Sequence, residues 1–397
     1  MNLFLINHNP SYQTSYQPGF YAELARQSRI LVVYQQKWGD RAPEYESPQK
    51  IADNFWIVYR RPFAPYRLML FSERLAQWDR TLFDRQMKRY CQLLGWSPDI
   101  VEFTHPIYRE HYHCKTGTKK VFWLIDHYSE VPGNKPVQVG YLAANEKESA
   151  RNADLVIATA RELVNRFGQY AKQIRFLPNS ADRNHFQPRW LRDAPVPERI
   201  KKIPRPIFGY AGNINAISDW KSLRLLAQSR PNYSFVLFGS MDGPREFYAS
   251  GDFAQAMLLP NIHYMGKVPN EELAAMYTHF DVGLVLDAIN EFSLTRNQNK
   301  IYQYLLAGLP VTGPFAQPDY ESFSSLLHLF RDPRDWPELC DAALQTNDEA
   351  HARIRRAYAE QIDMEQIIRF RISLYEALLT NRPLPEFEYP FLDSVSG

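Results

Sequence analysis

The sequence predicts an α/β protein of two domains, and two observations support this prediction. The chain has 397 residues, which is more than a single hydrophobic core usually serves. Short apolar runs of strand length alternate along it with stretches of helical periodicity, as in parallel sheets covered by helices. Residues 191–205 are rich in proline, arginine and lysine and lack periodicity, so we predict a linker there, after a first domain over 1–190.

The first domain should contain a sheet whose strands end in polar residues. Its predicted elements are a strand at Asn2–Asn7, a helix at Phe20–Gln27, and strands at Ile30–Tyr34, Asp99–Thr104 and Lys120–Ile125. His8 follows the first of these strands, His105 the third, and Asp126 and His127 the fourth. Because parallel strands end at the same edge of a sheet, we expect these side chains to point at one crevice.

Asp126 is our candidate for a general base. A carboxylate at the end of a strand, next to His127, can accept the proton of a substrate hydroxyl as a new bond forms. The alternative is structural, since aspartate commonly caps the turn that follows a strand. His105 and His127 are candidates to assist, and for each the alternative is a hydrogen-bonded structural histidine.

Residues 56–94 interleave aromatic residues with arginines and lysines. Apolar side chains recur there at helical spacing, and this predicts one amphipathic helix: Leu68, Phe71, Leu75, Trp78 and Leu82. One interpretation is a stripe that faces the core beneath a solvated basic face. The other is a face that lies on anionic lipid headgroups. Single-stranded nucleic acid also binds such mixtures, but no nucleic-acid-binding module accompanies this helix, so we predict no nucleic-acid partner.

The stretch from Asp281 to Pro314 is the strongest candidate for a binding site. An apolar strand, Asp281–Leu286, leads into a polar segment, and a helix begins at Lys300 and ends at Gly308. The free amides and positive dipole of a helix N-terminus favour an anion, and a lysine there suits phosphate. On the residues alone an alternative stays open, in which Lys300 is a solvated lysine and the polar segment is a connector.

This stretch resembles the donor-binding signature of the GT-B glycosyltransferases. The residues in register with that signature are Asp281, Lys300, Tyr304, Gly308, Pro310 and Val311. Two positions depart from it, since Gln303 and Thr295 stand where the large retaining family has a pair of glutamates. Lys300 is followed three residues later by Gln303. This pair resembles the corresponding positions of an inverting glucuronosyltransferase family of exopolysaccharide synthesis, where a lysine is also followed three residues later by glutamine.

Two further segments carry the same resemblance. Pro206–Asn215 resembles the opening of the family's donor domain, where a glycine lets the backbone approach the donor's phosphates. Pro260–Asp281 resembles a segment in which the backbone after a glycine receives the edge of the nucleobase.

The resemblance implies a GT-B fold, with two Rossmann-like domains that face a cleft. The second domain would span 206–360, and a last helix and tail, 361–397, would pack back on the first. The implied donor-binding residues are Gly212, Asn213, Lys267, Val268, Arg296, Lys300 and Gln303. Asp126 and His127 would be catalytic, with His8 and His105 on the acceptor side.

The implied reaction moves a sugar from a nucleotide-diphospho-sugar, by default a UDP-sugar, to a lipid-linked or oligosaccharide acceptor in bacterial surface or exopolysaccharide synthesis. The family needs neither a metal ion nor a cofactor for it. The absent glutamates and the presence of Asp126 favour inversion of the anomeric centre over retention. Two alternatives remain on the same architecture: a binding or scaffold protein that has lost catalysis, and a sugar-nucleotide epimerase.

Composition predicts where this chemistry would take place. The three cysteines, Cys91, Cys114 and Cys340, are scattered and odd in number, which favours a reducing compartment. No apolar run approaches the ~18 residues of a membrane span, so we expect a cytoplasmic protein, peripheral at most on the inner face of the plasma membrane. The first 190 residues carry 26 Lys and Arg against 18 Asp and Glu, although the whole chain is only +2, and this asymmetry suggests an anionic partner.

Overall fold

The computed structural model describes residues 1–8, 18–36, 38, 46–188, 190 and 195–391, apart from the side chains of Pro18 and Glu271. These residues fall into two compact units. The first comprises Met1–Pro178 and Ile367–Phe387, and the second comprises Asn179–Gln366 and Glu388–Gly397. Residues 191–194 of the predicted linker and 392–397 of the predicted tail lie outside the described residues.

The first unit is an α/β sheet with eight strands among the described residues. Its strands are β1 (Asn2–Asn7), β2 (Arg29–Gln35), β3 (Gln49–Ala52), β4 (Phe55–Arg60), β5 (Ile100–Phe103), β6 (Lys119–Leu124), β7 (Leu155–Ala158) and β8 (Ile174–Phe176). The helices between them are α1 (Pro18–Ala25), α2 (Tyr66–Phe71), α3 (Glu73–Leu94), α4 (Pro136–Asn152) and α5 (Arg161–Phe167), with 3₁₀ turns at Pro106–His113 and Tyr128–Glu130. The strand order is β3-β4-β2-β1-β5-β6-β7-β8, and of these described strands only the pair β3–β4 is antiparallel.

The central strands of this sheet are almost wholly apolar because helices cover both faces. In β1, Leu3 to Asn7 are all buried. Ile6 pairs with Phe103 of β5, and Phe103 pairs with Phe122 of β6. The residues that follow β1, β5 and β6 therefore leave the sheet side by side, as the sequence predicts.

The second unit is a parallel sheet with six strands among the described residues. Its strands are β9 (Ile207–Ala211), β10 (Ser234–Phe238), β11 (Ile262–Tyr264), β12 (Val282–Leu284), β13 (Val311–Pro314) and β14 (Leu327–Phe330), in the order β11-β10-β9-β12-β13-β14. Its helices are α6 (Trp220–Ser229), α7 (Arg245–Ala249), α8 (Gly251–Ala256), α9 (Asn270–Tyr277), α10 (Glu291–Leu294), α11 (Asn299–Leu306), α12 (Trp336–Gln345) and α13 (Glu349–Glu360), with 3₁₀ turns at Pro318–Leu326 and Pro333–Asp335.

The last helix, α14 (Met364–Leu379), contributes most of its length to the first unit. Its Arg371 guanidinium donates a hydrogen bond to Glu102 Oε2 at 2.5 Å and lies 4.0 Å above the Trp123 ring. Both charged side chains are almost fully buried, so this ion pair ties α14 to β5.

The unit boundaries differ from the predicted ones. The N-terminal part of the first unit ends at Pro178 and not at residue 190, and residues 388–391 return to the second unit, although we expected all of 361–397 to pack on the first. Within the second unit the Tyr389 hydroxyl lies 3.0 Å from the Tyr302 hydroxyl. A buried tyrosine needs a hydrogen-bond partner, and Tyr302 provides it.

The structure corrects the single amphipathic helix predicted within 56–94. Ser72 is extended (φ −137°, ψ 107°) and caps α3 through Leu75 N–H, so two helices, α2 and α3, replace one. The buried face of α3 consists of Ala76, Asp79, Phe83, Met87 and Tyr90. Leu68, Phe71 and Trp78 of the predicted stripe are exposed, so the interpretation that they face the core is wrong.

Candidate donor and acceptor sites

Three loops at the carboxyl ends of β9, β10 and β11 are joined through their backbones. Gly212 N–H donates to Phe238 O at 3.0 Å, and Gly239 N–H donates to Gly266 O at 3.0 Å. A Cβ placed on Gly239 would lie 1.7 Å from Gly212 O, so no side chain fits there. Glycine at 239 therefore holds the Gly212–Asn213 loop in place, with Asn213 exposed.

Lys300 reaches this loop from the start of α11. Its Nζ lies 4.7 Å from the centre of the Tyr210 ring and 3.2 Å from the position that a Cβ of Gly212 would take. Tyr210 in turn donates from its hydroxyl to Asn213 O at 3.2 Å. The structure thus brings together Gly212, Asn213 and Lys300, three of the predicted donor-binding residues.

Both hydrogen-bond donors and hydrogen-bond acceptors at the N-terminus of α11 lack a partner among the described residues. Gln298 N–H donates to the Tyr320 hydroxyl and Ile301 N–H donates to Gln298 O, but no side chain of the described residues caps the helix, so the N–H groups of Asn299 and Lys300 remain available to an anion. Gln298 Oε1 and Asn299 Oδ1 are buried and have no hydrogen-bond partner among the described residues, and Gln298 is only 4% exposed. Buried polar atoms are nearly always paired, so these two oxygens suggest a ligand that bears hydroxyl groups.

The two positions where the large retaining family has glutamates hold neutral side chains here, and both side chains form hydrogen bonds within the protein. Gln303 Oε1 accepts a hydrogen bond from the Tyr277 hydroxyl at 2.9 Å. Thr295 is fully buried, and its hydroxyl donates to Phe292 O at 2.8 Å. Neither position offers a carboxylate for chemistry.

The remaining predicted donor residues lie around the same edge of the sheet. Arg296 Nη1 is 2.7 Å from the buried Asp287 Oδ2, so its charge is largely balanced within the protein. Lys267 is exposed and Val268 is buried, directly after Gly266, whose φ of +72° favours glycine. Lys300 is therefore the better candidate than Arg296 to bind phosphate.

In the first unit, His8 and His105 form a stacked pair. Their ring centres are 4.0 Å apart with an interplanar angle of 20°. His105 Nδ1 accepts a hydrogen bond from Ile107 N–H and so caps the following turn. Burial lowers the pKa of His8 to about 4 and holds the pKa of His105 well below its usual range, so both rings are neutral near pH 7.

Asp126 and His127 follow β6 on the neighbouring strand, and both are half-buried. His127 Nδ1 lies 3.4 Å from Arg166 Nη1, and His127 Nε2 lies 3.7 Å from Glu146 Oε2. Tyr128 connects the two histidine groups, since its ring centre is 4.7 Å from that of His105 and its N–H donates to Glu146 Oε1 at 2.5 Å. The predicted acceptor-side residues thus gather at one edge of the first sheet.

Glu146 is a site residue that the sequence analysis missed. It lies inside α4 with its side chain fully buried, and burial raises the pKa of its carboxyl group to about 8. A strongly shifted carboxyl group beside a histidine is typical of functional sites. The sequence held one signal, since polar residues share the helical spacing of the apolar ones in α4. The buried face of α4 consists of Leu142, Asn145, Glu146, Ser149 and Ala150.

Two features are absent from the described part of the chain. No group of three or more His, Cys, Asp or Glu side chains is placed to hold a metal ion there. None of the described helices is both long enough and apolar enough to span a bilayer.

The fold has counterparts among solved structures. Over 96% of its length the chain matches the sucrose-phosphate synthase structure from Thermosynechococcus elongatus, covering 99% of that chain at 15% identity with a TM-score of 0.70. It also matches HepE of Anabaena solved in complex with UDP-glucose, covering 96% of this chain and 100% of that one at 14% identity with a TM-score of 0.67. Both are GT-B glycosyltransferases, and the comparison confirms the predicted GT-B fold.

Among curated proteins, the similar relatives are also glycosyltransferases. TuaH of Bacillus subtilis (strain 168), provisionally assigned to teichuronic acid biosynthesis, is 22% identical over 167 residues, which is 41% of each chain. The 2-deoxystreptamine glucosyltransferase of Streptomyces kanamyceticus is 27% identical over 190 residues, 44% of this chain and 46% of that one. The match therefore spans less than half of each curated relative. No family model matches the chain.

Proposed function

We propose that this protein is a glycosyltransferase whose donor is a nucleotide-diphospho-sugar, a UDP-sugar first of all. The observation that carries the proposal is the group of residues at the start of α11. Lys300 and the uncapped helix amides suit a diphosphate, while the unpartnered oxygens of Gln298 and Asn299 suit sugar or ribose hydroxyls. A ligand with both chemical groups fits this site better than a simple anion does.

The same residues explain how the donor's leaving group would be stabilised. As the bond between the sugar C1 and the diphosphate oxygen breaks, negative charge builds on the diphosphate. Lys300 Nζ, the amide of Asn213 and the α11 N-terminus are preorganised to receive that charge. Because these groups supply positive potential, we propose that transfer needs no metal ion.

On the acceptor side, Asp126 is the proposed general base. It would take the proton of the acceptor hydroxyl while that oxygen forms a bond to C1 and the nucleoside diphosphate departs. Such a direct displacement inverts the anomeric centre. The neutral side chains of Thr295 and Gln303 support inversion, since the positions of the paired glutamates hold no carboxylate. His127, beside the buried Glu146, would assist Asp126.

The comparisons support the donor and leave the acceptor to be proposed. HepE was solved with UDP-glucose, and both curated relatives are named as glycosyltransferases. We propose a lipid-linked or oligosaccharide acceptor of bacterial surface or exopolysaccharide synthesis, and transfer at the cytoplasmic face of the membrane. The aromatic side chains around His8 and His105 are a suitable surface for a sugar ring.

A thermal-shift comparison of UDP and GDP tests the donor site. A ligand at a hundredfold excess over its dissociation constant stabilises the native state by about 2.7 kcal/mol. A charge near 4 Å from phosphate contributes between about 1 kcal/mol in water and about 4 kcal/mol in a protein environment. For the half-buried Lys300 we therefore expect Lys300→Ala to weaken UDP binding roughly 10- to 100-fold, which would remove between about half and about 85% of the stabilisation at the same UDP concentration.

Lys221→Ala is the matched control, because Lys221 is an exposed lysine on α6 of the same unit. Its shift with UDP should equal that of the wild type. If neither nucleotide shifts the wild type, the donor-site proposal is wrong and a scaffold role on the same fold becomes the better hypothesis. An equal shift in Lys300→Ala and the wild type would remove Lys300 from the site.

A further inference from the structure

A patch of large apolar side chains lies exposed on the first unit, and we define it as the aromatic patch. Its members are Phe63, Leu68, Phe71, Trp78, Val137 and Tyr141, each between 37% and 65% exposed. The described residues leave 17 large apolar side chains exposed, and six of them lie in this patch. Such a concentration is unusual on a protein surface and indicates an interaction site.

The members of the patch belong to elements that pack on one another. Helix α2 carries Leu68 and Phe71 and contacts both α3 and α4. The Phe71 ring centre lies 4.7 Å from that of Tyr141, and the Phe63 ring centre lies 5.4 Å from that of Trp78. Val137 and Tyr141 share one face of α4, since four residues separate them.

Charge around the patch points to an anionic partner. Residues 61–78 and 130–141, which carry the patch, expose four cationic side chains, Arg61, Arg67, Arg74 and Lys135, against two carboxylates, Glu73 and Glu130. Arg67 lies beside Leu68 on α2, and Arg74 lies one turn before Trp78 on α3. Aromatic side chains interspersed with arginine on a helix surface suit the interface of an anionic bilayer.

The patch also continues into the acceptor-side residues. Tyr66, which begins α2, has its ring centre 5.1 Å from that of His8 and 6.2 Å from that of His105. His8 and His105 lie at the strand ends where we place the acceptor. An acceptor whose sugar is attached to a lipid would have its anchor in the layer that the aromatic patch touches.

We infer that the aromatic patch docks the first unit on an anionic lipid bilayer and so presents the acceptor-side residues to lipid-linked substrates. This inference rests on the proposed function for the identity of the substrate, but the docking itself needs no catalysis. The patch inserts its aromatic and aliphatic side chains at the level of the headgroups, while Arg67 and Arg74 pair with their negative charges.

Vesicle flotation of the full chain tests the inference. We expect binding to phosphatidylcholine vesicles that contain about one third phosphatidylglycerol, weakening as salt rises, and little binding to phosphatidylcholine alone. Phe71→Ser with Trp78→Ser should weaken binding at least about tenfold. Arg67→Gln with Arg74→Gln should weaken it about fivefold for each charge removed.

Matched controls come from the far end of α3. Leu93 is 55% exposed, and Lys88 and Arg89 are exposed charges, so Leu93→Ser and Lys88→Gln with Arg89→Gln remove similar groups outside the patch. Both controls should bind like the wild type. Because all substituted side chains are exposed, the melting temperature of every variant should stay within a few degrees of that of the wild type.

Three results would overturn the inference: no binding of the wild type to anionic vesicles, an equal loss in patch and control variants, or self-association that only the patch variants abolish. The last would make the patch an interface between copies of the chain. The UDP thermal shift of each variant separates this inference from the proposed function. A normal shift without vesicle binding refutes docking alone, and vesicle binding without a shift in the wild type refutes the donor site alone.

Discussion

Replacement of Glu146 by glutamine should make the stability of the protein respond differently to pH. The Glu146 carboxyl group is buried, its Oε1 accepts from Tyr128 N–H, and its Oε2 has no hydrogen-bond partner among the described residues. Burial raises its pKa from 4.5 to about 8 and outweighs the hydrogen bonds that lower it. The folded state therefore binds a proton that the unfolded state has lost between these two values.

The sign and size of the effect follow from that difference. A carboxyl group whose pKa is raised by folding contributes its full stability below about pH 4.5 and loses it as pH rises to about 8. One pKa unit corresponds to about 1.4 kcal/mol, so the group changes the free energy of unfolding by at most about 5 kcal/mol over this range. For a domain of this size that is on the order of 10 °C in melting temperature.

Glu146→Gln keeps the shape of the protonated carboxyl group and removes its titration. We expect the variant and the wild type to melt within a few degrees of each other at pH 5, and the variant to be the more stable by on the order of 10 °C at pH 8.5. Differential scanning calorimetry at four or five pH values measures this. Glu148→Gln, which removes a carboxylate from the same helix where the side chain is 37% exposed, is the control.

A melting-temperature difference between Glu146→Gln and the wild type that stays constant from pH 5 to pH 8.5 would refute this reasoning. It would mean that water or a nearby positive charge stabilises the Glu146 carboxylate and that its pKa is not raised. The role of Glu146 beside His127 would then need another physical basis.

Two further predictions concern the proposed reaction. Asp126→Asn should slow release of UDP from the donor at least about a hundredfold in the presence of acceptor, since a general base contributes that much to the rate. The UDP thermal shift of this variant should equal that of the wild type. An unchanged rate would exclude Asp126 as the base. Gly239→Ala should abolish the UDP shift and cost about 3 kcal/mol in urea unfolding, because the new Cβ would lie 1.7 Å from Gly212 O. Gly140→Ala, where a Cβ meets nothing within 4 Å, is its control, and normal UDP binding by Gly239→Ala would contradict the described loop packing.

Much of the fold was predictable from the sequence because buried parallel strands are continuous apolar runs. The strands that end before His8, His105 and Asp126 lie within one residue of their predicted limits. The proximity of Lys300 to Gly212 was predictable too, since strand ends and helix starts of a parallel sheet meet at one edge. These features depend on local pattern and on general topology.

What could not be predicted depends on pairs of residues far apart in the chain. The buried face of α3 includes Asp79, because Arg60 pairs with it at 2.6 Å inside the core. The pattern of an apolar stripe in the sequence does not include an aspartate. That pattern favours Leu68, Phe71 and Trp78 instead, which the fold leaves exposed. Glu146 was missed for a similar reason, since only the tertiary structure places it beside His127.

The path of the chain between the two units has a consequence for synthesis on the ribosome. Glu102 lies in β5, but Arg371, the cation that neutralises it in the buried core, emerges 269 residues later. The hydrogen bond between the Tyr302 and Tyr389 hydroxyls likewise joins residues that are 87 positions apart in the chain. Neither unit can therefore complete these buried polar contacts before residues 371 and 389 have been synthesised, and a nascent chain that stops short of residue 371 would leave the Glu102 carboxylate in the first sheet without its cation.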